Sequence, residues 1–341
     1  MPRVIGVDPG TISIDLCGIE DGRLWLDRAF PTSEALRQPE RLLEILRGDR
    51  PPDLIAGPSG YGLPLVRAEQ ATDRDLKLAF LAADGEQGGI GGLRHLAKLL
   101  GGSGLPVVYT PGVIHLNTVP PHRKLNRVDL GTADKVAVAA LAIWDQTRRL
   151  HHPPSEASFI LLELGGAFTA ALAVERGAIV DGVGGTSGPL GWQSGGMWDG
   201  EVAFLAGSVS KELLFRGGRM DAGIDGLAAY IESAHRTVLA LTTAVPRPAE
   251  ILLSGRHAHD VEVRAPLADR LSRIAPVVDV EGFAQVVKQG AQGAALIADG
   301  LVGGQHQELV ESMRIRDARG TVLDYLRVIA PDAARRRIGA E

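Results

Sequence analysis

Two short segments place an acidic residue beside glycine at the end of an apolar run, a combination suited to phosphate and metal chemistry. The first is Gly6-Val7-Asp8-Pro9-Gly10-Thr11, followed closely by Ser13. Gly10 permits a tight turn and close ligand approach, and the Thr11 and Ser13 hydroxyls can donate to phosphate oxygens together with backbone N–H groups. Asp8 can hold Mg²⁺, through water, because Mg²⁺ keeps several of its waters. An Asp-Pro-Gly hairpin turn explains the same residues without any ligand, and both interpretations stay open.

The second segment is Glu163-Leu164-Gly165-Gly166-Ala167-Phe168-Thr169, which closes one apolar run and opens the next. Gly165, Gly166 and Thr169 offer a second cradle for phosphate, and Glu163 is a second candidate ligand for a metal ion. A flexible β-hairpin turn is the alternative. Two acidic-glycine turns at equivalent places in the two halves of the chain can clamp one polyphosphate between them.

A third segment, Ile251 to Arg256, reads as a buried strand that ends at Ser254-Gly255-Arg256. The missing side chain of Gly255 lets a planar ring approach the backbone there. Arg256 can stack on an adenine ring or pair with a phosphate group. Taken alone, the segment is also an ordinary transition from strand to turn.

The candidate catalytic residues cluster before and inside a strongly periodic helix. Asp134 can accept a proton from a hydroxyl acceptor, or position Mg²⁺ and the transferring phosphoryl group. A carboxylate acceptor is already ionised and needs no base, which favours the metal role for an acyl acceptor. Asp134 in a first helical turn also stabilises the helix dipole without any catalytic role. Lys135 can neutralise phosphate charge or be a surface lysine, and Arg123 can grip a carboxylate or phosphoryl group or lie in a solvated basic loop.

The elements that would position these residues follow the same order in both halves. Strands are predicted at Val4–Val7, Ile12–Ile19 and Leu24–Ala29, and again at Phe159–Leu164, Ala170–Val174 and Ala178–Val183. This repetition indicates a duplicated α/β fold. Apolar spacing predicts helices at Glu34–Arg47, Ala133–Leu150 and Glu281–Asp299. The break at residues 151–155 predicts a domain of residues 1–154 that includes the Ala133–Leu150 helix, and a second of residues 155–341.

Composition limits the classes of function. A chain of 341 residues exceeds the usual size of one core, and its single cysteine, Cys17, excludes an internal disulfide framework. The net charge of −5 and the aromatic content of 4% do not support a nucleic-acid surface. The sequence has neither a secretory signal nor a long apolar run, so a cytoplasmic protein without membrane contact is expected.

The order and spacing of the three segments resemble the phosphate-1, phosphate-2 and adenosine motifs of the acetate and sugar kinase/Hsc70/actin superfamily. Residues 126–135 resemble its first connecting helix and residues 290–295 its second, so the resemblance spans nearly the whole chain. Within that superfamily the chain is most similar to the predicted butyrate kinase family (DUF1464-like). That similarity is carried by residues 8–11, 131–135, 163–166, 184–189, 199–203 and 253–256.

The resemblance implies two ribonuclease-H-like (actin-like ATPase) domains that close on ATP and Mg²⁺ in the cleft between them. It implies phosphoryl transfer to a small-molecule acceptor, a short-chain carboxylate by analogy, and a homodimer by analogy with acyl kinases. Two features depart from the superfamily pattern. Glu163 stands where many members have Asp, and Ala167-Phe168 replaces a third consecutive glycine. Nucleotide binding remains expected, while turnover, and so whether the chain is an active enzyme, stays open.

Three alternatives to a carboxylate kinase therefore stay open. The chain can be an ATP-driven regulator or activator of a partner protein, a kinase for a hydroxyl acceptor such as a sugar, or an inactive nucleotide-binding scaffold. Trp192 and Trp198, in a glycine-rich stretch, can either line an acyl pocket or anchor their loop on the core.

Overall fold

The structure, a computed structural model, describes residues 2–10, 12–57, 60–82 and 89–341, and its strands form two sheets. The first sheet has the order β3-β2-β1-β4-β6-β5. Its strands are β1 (Arg3–Pro9), β2 (Ser13–Glu20), β3 (Arg23–Pro31), β4 (Leu54–Gly57), β5 (Val66–Arg67) and β6 (Val107–Tyr109). The second sheet has the order β11-β10-β7-β8-β9. Its strands are β7 (Phe159–Leu164), β8 (Thr169–Glu175), β9 (Ala178–Val183), β10 (Glu250–Ser254) and β11 (Val277–Asp279).

The two sheets share one topology, which confirms the predicted duplication. In each, three consecutive strands form an antiparallel meander, and the first of them then pairs in parallel with a later strand. The order β3-β2-β1-β4-β6 in the first sheet thus corresponds to β9-β8-β7-β10-β11 in the second. Because β1 and β7 are equivalent strands, the residues at their carboxyl ends occupy equivalent places in the two halves.

Helices connect and follow the strands in the described part of the chain. They are α1 (Thr32–Arg37), α2 (Pro39–Arg47), α3 (Asp73–Phe80), α4 (Gly89–Gly101), α5 (Pro121–Lys124), α6 (Ala133–Leu150), α7 (Gly200–Ala206), α8 (Gly226–Leu241), α9 (Val261–Leu271), α10 (Gln289–Leu301), α11 (Gln307–Met313) and α12 (Pro331–Arg337). None of these described helices has the length and apolar character needed to cross a bilayer. The predicted Glu34–Arg47 helix is divided, because Pro39 begins α2 and lacks the N–H that would continue α1.

Strand alternation separates the buried side chains into layers. On β7, Phe159 and Leu161 join the central core, which also contains α6 and α10 and reaches the first sheet. Ile160, Leu162 and Leu164 point the other way and pack with α8 and α9. This period of two, with both faces apolar, is what a strand buried on both sides requires.

The helices α6 and α10 cross in close contact because α10 is built from small residues. A Cβ on Gly293 would lie 1.7 Å from the Ala137 carbonyl oxygen of α6. A Cβ on Gly6 of β1 would lie 2.2 Å from the Ala291 carbonyl oxygen. The helix α10, from the second half of the chain, therefore packs on the first sheet. The division into residues 1–154 and 155–341 remains a prediction.

The start of α10 corrects the predicted helix Glu281–Asp299. Asp27 on β3 accepts hydrogen bonds from the backbone N–H groups of Gln285, Val286 and Val287, at 2.8, 3.0 and 2.9 Å. Those N–H groups are held by a carboxylate outside the helix, so the chain stays non-helical until Gln289. Sequence periodicity cannot reveal a partner 258 residues away.

A buried histidine predicts a pH dependence of stability. His115 is 1% exposed, and burial lowers its pKa to about 4 from the ordinary 6.5. Between these values the unfolded chain binds a proton that the folded chain does not, so this stabilising contribution is complete above pH 6.5 and is lost as the pH falls. We expect His115→Gln to reduce the slope of unfolding free energy against pH in this window by up to ~1.4 kcal/mol per pH unit.

Urea unfolding at several pH values measures that slope. The matched control is His259→Gln, the same substitution at an exposed histidine. An unchanged slope in His115→Gln would show that His115 does not titrate with folding.

Candidate functional site

The candidate site lies where equivalent strands of the two sheets end. Asp8 is the penultimate residue of β1, and Glu163 is the penultimate residue of β7. On β10, Ser254 pairs in register with Glu163, so the predicted adenosine segment ends beside the predicted phosphate-2 segment. The first turn of α6 supplies Asp134. The structure thus brings the three acidic residues singled out in the sequence to the ends of three different elements.

Lys135 joins two of these carboxylates. Its Nζ lies 2.7 Å from Asp134 Oδ2 and 2.7 Å from Glu163 Oε1. The hydroxyl of Thr132 donates to the other oxygen of Asp134. Lys135 is therefore a half-buried cation held between two carboxylates, and it does not extend freely from the helix surface.

A second lysine, Lys288, pairs with the β1 carboxylate. Its Nζ lies 3.4 Å from Asp8 Oδ2 and 3.0 Å from Asp15 Oδ2. Ser13, a predicted phosphate ligand, donates its hydroxyl to Asp15 Oδ2 at 2.7 Å. The Gly10 N–H donates to the Ser13 carbonyl at 2.8 Å, which closes the turn after β1.

Burial and neighbouring charges set the proton affinity of the carboxylates. Burial raises the pKa of Asp8, Lys288 opposes that rise only in part, and Asp134 adds to it. Burial likewise raises the pKa of Glu163 against the effect of Lys135. For Asp134, burial alone would raise the pKa, but the Lys135 ammonium and the Thr132 hydroxyl outweigh it and hold the pKa below its usual value. Asp134 is therefore ionised at neutral pH.

Glycine is required where the loops approach one another. Gly255 has φ +91°, and a Cβ there would lie 2.6 Å from the Leu164 carbonyl oxygen. A Cβ on Gly165 would lie 2.6 Å from the Phe168 carbonyl oxygen. A Cβ on Gly166 would lie 3.7 Å from the Arg256 side chain, so this loop and the adenosine segment adjoin. The structure thus brings Gly165, Gly166, Gly255 and Arg256 together.

The carboxylates of the site are suited to Mg²⁺, which also takes water and phosphate oxygens as ligands, rather than to a metal ion held by protein side chains alone. Among the described residues, no group of three or more His, Cys, Asp or Glu side chains could form a metal cage. Mg²⁺ takes one or two carboxylates together with water and phosphate oxygens. The Oε2 atom of Glu163 is buried without a hydrogen-bond partner, and the Ser254 hydroxyl is too. The site contains four carboxylates and two ammonium groups, so its net charge is −2 when all of them are ionised. The carboxylates are Asp8, Asp15, Asp134 and Glu163, and the ammonium groups are Lys135 and Lys288.

Two predicted residues have contacts directed elsewhere. Arg123 donates to the Val180 carbonyl at 2.7 Å and lies 3.6 Å from Asp181 Oδ2, so it fixes α5 to β9. Thr169 is fully buried, and its hydroxyl donates to the Tyr230 oxygen at 3.3 Å. Within the described part of the chain, neither side chain forms a hydrogen bond or ion pair with Asp8, Asp134 or Glu163. Thr11 lies outside the described residues.

Trp192 anchors its loop. Its ring stacks on His257 with centroids 3.6 Å apart, and the Arg219 guanidinium lies 4.1 Å from its centroid. Tyr230 meets the same ring edge to face at 5.7 Å. With these neighbours, Trp192 holds the glycine-rich stretch against α8 and the residues after β10.

Sequence reasoning missed three charged residues of this region. Lys288 and Asp15 stand outside the glycine segments, and they meet only because α10 returns to β1 from the second half of the chain. Asp129 accepts from the Gly131 and Thr186 N–H groups, both at 3.1 Å, and burial raises its pKa. The spacing of Asp129 before Gly131 was the available local signal, whereas no local signal marks Lys288.

Two sheets of one topology, joined by crossing helices and carrying acidic turns at equivalent strand ends, agree with the fold that the resemblance to the acetate and sugar kinase/Hsc70/actin superfamily implies. The chain belongs to the family described as protein of unknown function (DUF1464), whose model matches residues 6–328. This match confirms the DUF1464-like resemblance. No curated protein matches the chain.

Solved structures support the same fold. A propionate kinase from Francisella tularensis subsp. tularensis SCHU S4 is similar with a TM-score of 0.59 and 11% identity, over 86% of this chain and 98% of that one. Acetate kinase from Entamoeba histolytica has a TM-score of 0.57 and 10% identity, over 80% and 87% of the respective chains. Porphyromonas gingivalis acetate kinase has a TM-score of 0.53 and 14% identity, over 80% of this chain and 88% of that one. At 10%, 11% and 14% sequence identity, these similarities show a shared fold alone.

Proposed function

We propose that the protein is a phosphotransferase that uses ATP and Mg²⁺ to phosphorylate a small carboxylate. The observation that carries the proposal is the convergence of Asp8 and Glu163, from equivalent strand ends of two sheets, on Asp134 and Lys135. A polyphosphate held between two such turns would meet carboxylates for a metal and an ammonium group at one place.

The predicted residues take the following roles in this proposal. The loop at Gly165 and Gly166 donates backbone N–H groups to phosphate oxygens. The Gly10 N–H already donates to the Ser13 carbonyl, so the turn after β1 contributes close approach of the phosphate at Gly10, which has no side chain. The adenosine lies against the Ser254-Gly255-Arg256 segment. Asp8 and Glu163 hold Mg²⁺, partly through water, and the bound ion neutralises charge on the transferring phosphoryl group.

The state of Asp134 favours a carboxylate over a hydroxyl acceptor. One oxygen of Asp134 accepts from Thr132 and the other from Lys135, and these contacts hold its pKa below the usual value, so Asp134 is a weak base towards a substrate proton. A carboxylate acceptor brings no proton. One of its oxygens attacks the γ-phosphorus, the bond to the bridging oxygen breaks, and ADP leaves with that electron pair. The products are an acyl phosphate and ADP.

Asp134→Asn separates the two acceptor classes. For a carboxylate acceptor we expect the variant to keep measurable turnover, reduced by roughly ten- to a hundredfold because the Lys135 contact is weakened. For a hydroxyl acceptor that relies on Asp134 as its base, turnover should disappear. The kcat for each acceptor is the measurement, with the exposed Asp225→Asn as an unaffected control.

The proposal is tested by ADP release from Mg-ATP in the presence of single acceptors. A panel of acetate, propionate and butyrate is compared with glucose, glycerol and no acceptor. Stimulation by a carboxylate alone supports the proposal. Stimulation only by a polyol would replace it with a hydroxyl kinase.

An ATP-driven regulator of a partner protein is the second candidate, and one observation favours it. The helix α7 exposes Val202, Phe204 and Leu205, the last two by 78% and 80%. Apolar side chains so exposed are typical of protein contacts. This candidate predicts slow ADP release that no small acceptor changes.

A further inference from the structure

Lys288 lies where the second half of the chain returns to the predicted phosphate-1 turn. It is the residue before α10, and its backbone N–H donates to Asp15 Oδ1 at 3.2 Å. Its ammonium group reaches Asp15 Oδ2 at 3.0 Å, Asp8 Oδ2 at 3.4 Å and the Ser13 carbonyl at 3.4 Å. Three oxygens from the first sheet thus surround one cation from the second half of the chain.

The ammonium group also lies directly against the turn. A Cβ on Gly10 would come within 2.8 Å of Lys288 Nζ. The Lys288 side chain is nevertheless 43% exposed, whereas its two carboxylate partners are 11% and 2% exposed. Lys288 therefore covers the turn from the solvent side, where a phosphate group would approach it.

The two carboxylate contacts are unequal. Asp15 is nearly buried and holds both the ammonium group and the backbone N–H of Lys288, so it fixes the position of the residue. Asp8 makes only the longer contact, at 3.4 Å. A competing anion would displace Asp8 before Asp15, because a longer charge contact is the weaker of the two.

We propose that Lys288 binds a phosphate oxygen of the nucleotide and that this exchange releases Asp8 to the metal ion. The inference rests on the proposed nucleotide site and adds a residue and an order of contacts to it. Before nucleotide binds, Asp8 and Asp15 hold the ammonium group. When a nucleoside diphosphate enters, the ammonium group donates to its phosphate and gives up Asp8, whose carboxylate becomes available to Mg²⁺.

Two consequences follow from this exchange. The Lys288 ammonium group stays beside the turn when metal is absent, so ADP binding in EDTA should be measurable and should depend on Lys288. ADP and Mg²⁺ should also strengthen each other's binding beyond the effect of forming Mg-ADP, because ADP removes the competitor for Asp8.

Calorimetric titration with ADP, in EDTA and then in Mg²⁺, tests the assignment. Lys288→Gln should weaken ADP binding in EDTA by ten- to a hundredfold, the value of a lost charged hydrogen bond. Lys288→Arg should restore much of the affinity. Lys98→Gln, which changes an exposed lysine paired with Asp73, should match the wild type. A folded Lys288→Gln that binds ADP in EDTA as tightly as the wild type would overturn the inference.

Lysine labelling of the wild-type protein gives a second readout that needs no variant. With an amine-reactive acetylating reagent and mass spectrometry, ADP in EDTA should protect Lys288 and leave Lys98 unchanged. Equal labelling of Lys288 with and without ADP would contradict the inference.

The ADP-binding results for Lys288 can be distinguished from success or failure of the proposed phosphotransferase function. Loss of ADP affinity in Lys288→Gln would support Lys288 even if no acceptor is ever phosphorylated. If the wild type bound no ADP either in EDTA or in Mg²⁺, both proposals would be overturned together.

Discussion

Asp8→Asn should reduce acceptor-dependent phosphoryl transfer by about a hundred- to a thousandfold, the usual cost of losing one stabilising group at a transferring centre. Asp8 is buried at the end of β1, and it is the carboxylate we assign to Mg²⁺ from the first sheet. The amide has nearly the same shape but carries no charge for the ion. Because burial raises the pKa of Asp8, an uncharged replacement should be tolerated by the fold. The kcat at saturating Mg-ATP is the measurement.

The exposed Asp225→Asn serves as the matched control for this effect. EDTA should produce a loss in the wild type at least as large as the substitution. If Asp8→Asn turned over at the wild-type rate while remaining metal-dependent, the metal assignment of Asp8 would be wrong.

Gly293→Ala should destabilise the fold by about 3 kcal/mol, at the upper end of overpacking effects in well-packed cores. The added Cβ would lie 1.7 Å from the Ala137 carbonyl oxygen, and both atoms belong to helices with little freedom to separate. The helix α10 would have to move away from α6 and from β1. Urea unfolding of the purified variant gives the change in free energy.

Gly200→Ala is the control for the Gly293 substitution. Nothing lies within 4 Å of a Cβ on Gly200, at the start of α7. Its unfolding free energy should change by no more than about 1 kcal/mol, because only helix propensity is altered. A Gly293→Ala variant as stable as the wild type would mean that α6 and α10 do not cross at this point.

The repeated local pattern was sufficient to predict the three-strand meander of each sheet, although not β5 or β11. Strand, glycine turn and strand recur around Asp8 and around Glu163, and the meanders form there in both halves. The helix Ala133–Leu150 was predicted with its observed bounds, since its apolar spacing is regular. The beginning of α10 could not be predicted, because Asp27 fixes residues 285–287 from a distant strand.

The candidate site could be predicted only where its residues are neighbours in sequence. Asp8, Asp134 and Glu163 were each marked by an adjoining glycine or helix start. The pairing of Lys135 with Glu163 and of Lys288 with Asp8 depends on how the halves pack, which no local pattern encodes. For the same reason Arg123 looked like a ligand for an anion, although its partner is Asp181 on β9.

Hydroxylamine trapping tests the central claim most directly, because it detects the acyl phosphate itself. The wild-type protein is incubated with Mg-ATP, hydroxylamine and one short-chain carboxylate at a time, with Asp8→Asn and EDTA as blanks. Our account predicts a hydroxamate that requires the carboxylate, ATP and metal together and matches the ADP released. ADP release without hydroxamate for every carboxylate, or no ADP release at all, would contradict the claim that this protein phosphorylates a carboxylate.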